Sequence, residues 1–282
     1  MSDITLIVAL ALILTVIGVV AYEWDQRRRT PGRIKFNAPF IVRFANGQWS
    51  RAVYVPYDAD PHHVQSQLKL PADQRTIFAI GGAGGMSTED IRRCQALIDG
   101  VCMFASAHEM VVITGGTEGG IMQMSGDSRQ RLRLKLRLVG IAPLSRVRFP
   151  GRDNPNADAD LEDSHSDFVL VEGAMWGVES DLLQELALCV AGYDKRKVAG
   201  ILINGGSIAL NEVAMAAERG LTMFVVEGSG RTADAVATAI RTKTAEQALL
   251  KMVVEGGRVE FIQTTEGIET VQAKLDAHFR AR

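Results

Sequence analysis

Three glycine-rich turns, each leading from a short apolar segment into a helical one, are the parts of this chain best suited to holding an anion. The first is Gly81-Gly82-Ala83-Gly84-Gly85, followed by Ser87, Thr88, Glu89 and Asp90 at a helix start. Backbone N–H groups that carry no side chain can approach a phosphate closely, and the helix dipole adds a favourable field. Glycines between strand and helix also serve tight turns alone, and both readings stand. The dinucleotide fingerprint G-x-G-x-x-G fails because Ser87 stands where its last glycine is required, which disfavours a nicotinamide dehydrogenase. The second turn, Gly115-Gly116-Thr117-Glu118-Gly119-Gly120, is followed by Ile121 and Met122 where a P-loop needs Lys and then Ser or Thr, so it is not an NTPase loop. The third, Gly228-Ser229-Gly230-Arg231-Thr232-Ala233-Asp234, puts Arg231 at a helix start, where the dipole disfavours a cation. A bound anion would remove that conflict; a surface ion pair with Asp234 or Glu227 is the alternative.

The elements that must position these turns follow from the hydropathy pattern. From Thr76 onward, apolar runs alternate with amphipathic stretches, as in parallel strands joined by crossover helices. Strands are predicted at Ile77–Ile80, Met110–Thr114, Leu138–Ala142, Phe168–Val171, Val198–Ile203 and Thr222–Val226. Helices are predicted at Thr88–Ala105, Ile121–Leu132, Val178–Val190, Ile208–Arg219 and Asp234–Arg241, with more helix and a short strand near Val259–Ile262 in the tail. The pattern predicts a Rossmann-like, doubly wound, mostly parallel α/β sheet over residues 76–242, whose ligand sits at the carboxyl ends of the strands. A C-terminal α/β extension covers 243–282. Residues 25–75, with apolar stretches at Phe40–Phe44 and Ala52–Tyr54 and a polar Asp58–Pro61 turn, read as a linker and a small β-rich extension.

Residues 1–24 read as one transmembrane helix. Ile4 to Tyr22 carry no charge, and at about 1.5 Å per residue they reach the roughly 30 Å hydrocarbon thickness of a bilayer. Trp24 and then Arg27, Arg28 and Arg29 follow the span, so the positive-inside rule puts the N-terminus outside and the body in the cytoplasm, at the cell membrane. A cleaved signal peptide would want charge before the apolar run and a small-x-small site after it, and neither is present. The net charge of −2 offers no global field for nucleic acid, which is not expected as a partner. Cys94, Cys102 and Cys189 form no metal-ligand spacing and read as reduced core thiols; His62 and His63 read as solvated side chains of a turn. No metal and no cofactor are expected.

Six ordered blocks resemble the SLOG superfamily, in particular the ligand-sensing domain at the amino-terminal end of TRP melastatin channels and its prokaryotic relatives. They are Asp58–Pro61, Ile80–Ala83, Val112–Thr117, Leu161–Val171, Trp176–Glu179 and Val225–Asp234. Nothing resembling a channel pore accompanies them. The resemblance implies a pocket for an ADP-ribose-like or other nucleotide-derived ligand, lined by Gly81, Gly82, Ala83, Gly84, Gly115, Gly116, Thr117, Trp176, Gly177, Glu179, Gly228, Ser229, Gly230 and Arg231. In the channel relatives an aromatic at the position of Trp176 stacks on the ligand and an arginine at the position of Arg231 holds phosphate. A further pocket arginine of those relatives corresponds to Leu183. On sequence alone, a core aromatic beneath the helix is the preferred reading of Trp176 over stacking. The expected function is that of a membrane-anchored sensor acting with a membrane effector or a second copy of itself, with no catalytic residue. The alternative is an N-glycosidic cleavage like that of the LOG-type phosphoribohydrolases of the same superfamily. Their P-G-G-x-G-T-x-x-E stretch corresponds to Gly173–Asp181, with most motif glycines lost and Asp181 in place of the glutamate. On that alternative Glu179 and Asp181 would carry the chemistry, with Glu172 a further carboxylate in reach.

Overall fold

Runs such as Val111-Val112-Ile113 and Val198-Ala199-Gly200-Ile201-Leu202-Ile203 are apolar at every position, the mark of strands covered by helices on both faces. The computed structural model describes residues 34–280. An antiparallel hairpin, β1 (Pro39–Arg43) and β2 (Trp49–Val55), comes first and is followed by α1 (Pro61–Leu68). Then come β3 (Thr76–Gly81), α2 (Thr88–Ala107), β4 (Val111–Thr114), α3 (Gly120–Arg131) and β5 (Arg137–Pro143). A short ladder of β6 (Val147–Arg148) with β7 (Ala159–Asp160) precedes β8 (Asp167–Val171), α4 (Ser180–Val190), β9 (Val198–Ile203) and α5 (Ser207–Glu218). β10 (Thr222–Glu227), α6 (Arg231–Thr242), α7 (Ala248–Gly256), β11 (Arg258–Gln263) and α8 (Ile268–Arg280) complete the described residues.

The main sheet has nine strands in the order β1-β2-β8-β5-β4-β3-β9-β10-β11, parallel throughout except for β1. From β3 the chain builds outward through β4 and β5 to β8, returns to lay β9 against the other side of β3, and builds away through β10 and β11. The order reverses between β3 and β9, and the crevice outside the carboxyl ends of such strands is where doubly wound sheets take ligands. Alternation divides the core. Phe78 and Ile80 of β3 face one apolar layer with α1, α4 and α5, while Ile77 and Ala79 face another with α2, α3 and α8.

The Rossmann-like expectation holds, with boundaries moved by a few residues. The apolar stretches before residue 75 supply β1 and β2, and β2 pairs parallel with β8, so they extend the main sheet itself. The expected Asp58–Pro61 turn is the start of a helix: Asp60 accepts from the His62 amide at 2.9 Å and Pro61 occupies the first turn. His62 therefore lies on α1, exposed as expected, whereas His63 is partly buried. α6 starts at Arg231, three residues before the predicted Asp234. The cysteines are free and buried, and burial pushes the Cys94 thiol up to about 11 and that of Cys102 to about 12. Among the described residues no helix is long and apolar enough to cross a membrane. The stretch expected to do so, Ile4 to Tyr22, lies outside them.

Candidate functional site

Glycine is required where β3 ends. Gly81 has φ +124°, and a Cβ there would overlap the Ile203 carbonyl oxygen at the end of β9; the next amide, of Gly82, donates to that oxygen at 3.1 Å. The two strands at the reversal point are thus tied carboxyl end to carboxyl end. A Cβ on Gly120 would lie 2.7 Å from the Gly82 Cα, so the first and second glycine turns touch backbone to backbone. Between these turns and α5 opens a cavity of about 380 Å³, within the range of small-molecule sites. Its walls include Gly81, Gly115, Thr117 and Met122 on one side and the first turn of α5, Gly206 to Ala209, on the other. Trp176, Glu179, Leu183, Glu212 and Arg231 complete the ring.

Arg231 has φ +44°, in the left-handed region, and its place is set by the turn before it. The Ser229 hydroxyl donates to Val226 O at 2.6 Å and accepts from the Asn204 amide at 2.8 Å. The Gly228 amide donates to Asp234 at 2.7 Å, and the Ala233 amide to Asn204 O at 3.0 Å. The guanidinium is carried away from its own helix to lie over two glycines. Side chains there would stand 2.9 Å from it at Gly84 and 3.1 Å at Gly206. The expected alternative, a surface pair with Asp234 or Glu227, does not form. Asp234 is engaged by the Gly228 amide, and Glu227 by Arg241 at 2.7 and 3.0 Å and by Gln263. Among the described residues Arg231 has no carboxylate partner.

Helix ends show which turn can take an anion. The first turn leads into α2, but that start is closed: Ser87 accepts from the Asp90 amide at 3.1 Å and donates to the Asp90 carboxylate at 2.6 Å. Gly82, Ala83 and Gly84 do not line the cavity. The open start is that of α5, which no side chain caps and whose first N–H groups have no intrahelical acceptor. It follows Asn204-Gly205-Gly206, a fourth glycine turn that the sequence reading passed over although it has the same form as the other three. Gly116, Gly177, Gly228, Ser229 and Gly230 also lie outside the lining. Gly116 serves packing, since a Cβ there would come within 2.6 Å of Gly140 in β5. The Leu161–Val171 block serves the core: Glu162, His165 and Thr114 form a buried chain, 2.6 Å from carboxylate to Nδ1 and 2.8 Å from Nε2 to hydroxyl.

Trp176 packs partly into the core, as the core-aromatic reading expects, and also borders the cavity. It packs against the apolar layer of Phe149 and Phe168, donates its Nε1 hydrogen to Asp158 at 3.0 Å, and lines the cavity. Glu179 is buried, accepts from the Gly177 amide at 2.8 Å, and has its pKa raised by burial more than that bond lowers it. Asp181 is not in the cavity. Its exposed carboxylate pairs with Arg219, because two residues past Glu179 the α4 helix has turned it toward α5's far end. Glu172 is exposed and also outside the lining. Glu212 was not singled out from sequence: it is 7% exposed, lines the cavity, accepts from the Ser180 hydroxyl at 2.8 Å, and burial pushes its carboxyl up to about 7. Among the described residues no group of three or more His, Cys, Asp or Glu is placed to hold a metal ion.

A doubly wound α/β sheet with a cavity at its reversal point, lined by Glu179, Glu212 and Arg231, defines a Rossmann-like α/β domain. The chain belongs to the family described as SLOG in TRPM, prokaryote, which matches residues 74–273. It is 23% identical over 255 residues to transient receptor potential cation channel subfamily M member 2 of Mus musculus, an alignment covering 76% of this chain and 17% of that protein. The chain thus spans under a fifth of that relative's length. Among solved structures, TM1055, a structural-genomics target, is similar over 72% of this chain and 99% of its own, with 14% identity and a TM-score of 0.46.

Proposed function

We propose that the cavity is the ligand site of a sensor for a nucleotide or nucleotide-derived molecule, and that the apolar stretch Ile4 to Tyr22 anchors this sensor in the membrane with its body in the cytoplasm. One observation carries the reading of the site: an arginine with no carboxylate partner among the described residues converges with the uncapped start of α5 at the cavity. A phosphate there would meet a guanidinium and open backbone amides at once. ADP-ribose and AMP are the first ligands to test. A hydrolytic second reading draws on the two buried carboxylates, one titrating near neutrality as a general acid requires. Against it, Asp181, which stands in place of the LOG-type glutamate, is paired with Arg219 outside the cavity.

Calorimetric titration of the full chain in detergent tests the binding site. A charged hydrogen bond contributes about 1.5–3 kcal/mol, so Arg231→Ala should weaken binding by about ten- to a hundredfold with an unchanged melting temperature. Arg231→Lys should recover part of the loss, keeping the charge but not the fork. Wild-type affinity in Arg231→Ala would place the ligand elsewhere. Chromatography of the same mixtures should return the nucleotide intact; release of free base, abolished by Glu179→Gln, would make the protein a hydrolase.

A further inference from the structure

The end of the cavity below the α5 start is acidic. Glu179 sits at the start of α4 and Glu212 on the second turn of α5, and both line the same space. Counting from Gly206, Glu212 lies about 9 Å further along the helix axis, at about 1.5 Å per residue. The arginine and the carboxylates therefore stand at different depths. Leu183 and Ile208 add apolar wall, and among the described residues lining the cavity Arg231 is the one Lys or Arg.

Two buried carboxyl groups in one cavity are costly unless each is supplied with donors. Neither is fully supplied. The Glu212 side chain receives the Ser180 hydroxyl, and the Glu179 side chain receives the Gly177 amide; an ionised carboxylate has about four acceptor positions. The Gln184 amide beside them donates to the Glu212 backbone carbonyl at 2.7 Å, not to either side-chain carboxyl. Their remaining acceptor capacity faces the cavity, where it can be met only by what enters. Burial raises both carboxyls, Glu212 to about 7, so the pair is not held as two full charges at neutral pH and can accept a neutral donor-bearing group without needing a cation.

We propose that Glu179 and Glu212 form a hydroxyl-reading pair, which selects a ligand with one phosphate at Arg231 and a vicinal diol, such as that of a ribose, at the deep end. A second phosphate at that end would face a carboxyl pair that carries negative charge and no cation to offset it, and is rejected. This rests on the nucleotide reading of the cavity and adds to it the identity of the residues that discriminate among phosphate esters.

The test is titration of the full chain in detergent with AMP, with 2′,3′-dideoxyadenosine 5′-monophosphate, which keeps the phosphate and base but lacks the diol, and with ADP-ribose. Wild type should bind AMP at least tenfold more tightly than the dideoxy compound. Glu212→Leu, which removes the acceptors at similar volume, should weaken AMP by about tenfold and leave the dideoxy compound unchanged, and Glu212→Gln, which keeps one acceptor, should recover part. The comparison of the two ligands on wild type needs no variant to fold. Equal affinity of wild type for AMP and the dideoxy compound, or equal weakening of both by Glu212→Leu, overturns the hydroxyl-reading pair while leaving the binding site intact. ADP-ribose binding without AMP binding overturns the single-phosphate class. No binding of any of the three removes the nucleotide reading and this inference together, and binding indifferent to Arg231→Ala places the ligand outside this cavity and overturns the inference with the site.

Discussion

A buried glutamate that titrates near neutrality makes stability depend on pH in the range where most carboxylates are silent. The Glu212 carboxyl is raised from 4.5 to about 7 by burial, opposed by the Ser180 hydrogen bond and reinforced by Glu179. Between those values the folded protein holds a proton that the unfolded chain has released. The associated stability is fully present below the unfolded value and is lost as pH rises through the folded one. At about 1.36 kcal/mol per pKa unit the loss is on the order of 3 kcal/mol. Denaturant unfolding at about pH 5 and about pH 8 should therefore show wild type losing stability on going up, and Glu212→Gln losing much less; parallel behaviour would mean the carboxyl is ionised throughout. Arg231 was legible in the sequence because a cation at a helix start conflicts with the dipole and invites an explanation. Glu212 was not, because a polar residue every few positions in Ser-Ile-Ala-Leu-Asn-Glu-Val-Ala-Met-Ala-Ala-Glu reads as a solvated helix face, and only packing against α4 buries it.

At the scale of elements, the principle that found the glycine turns does not tell which of them leads into an open helix start. Strand-turn-helix patterns come from local hydropathy and were read within a few residues, and Val198–Ile203 to the residue. Whether a helix start is available is decided by one cap, and Ser87 with Asp90 closes α2. Ser87→Ala should lower stability by about 1 kcal/mol in thermal or denaturant unfolding, as loss of an N-cap does, and leave nucleotide affinity unchanged. A large loss of affinity would put the anion at α2 after all. The helix α1 escaped because Asp-Ala-Asp-Pro is turn chemistry and cap chemistry alike, and eight residues give little periodicity by which to choose.

For the whole molecule, the anchor reading sets an orientation that a reporter can check. A fusion to Arg282 of an enzyme active only outside the cytoplasm should give no signal, since Arg27, Arg28 and Arg29 follow the apolar stretch; a strong signal would invert the assignment. The sheet order could not be read in advance, because nothing local to β9 says that it returns to β3 instead of continuing beyond β8. That return leaves the strands as two blocks with one seam, the six-residue ladder of Thr76–Gly81 against Val198–Ile203. Thr117, Trp176 and Glu179 reach the cavity from one side of the seam, and Arg231 with the α5 start from the other. An occupant gripped from both sides is a clasp across it. Occupancy would then be felt as a stiffening of the joint between the two blocks, read out as slower amide hydrogen exchange in β3 and β9 together while the outer strands exchange as before.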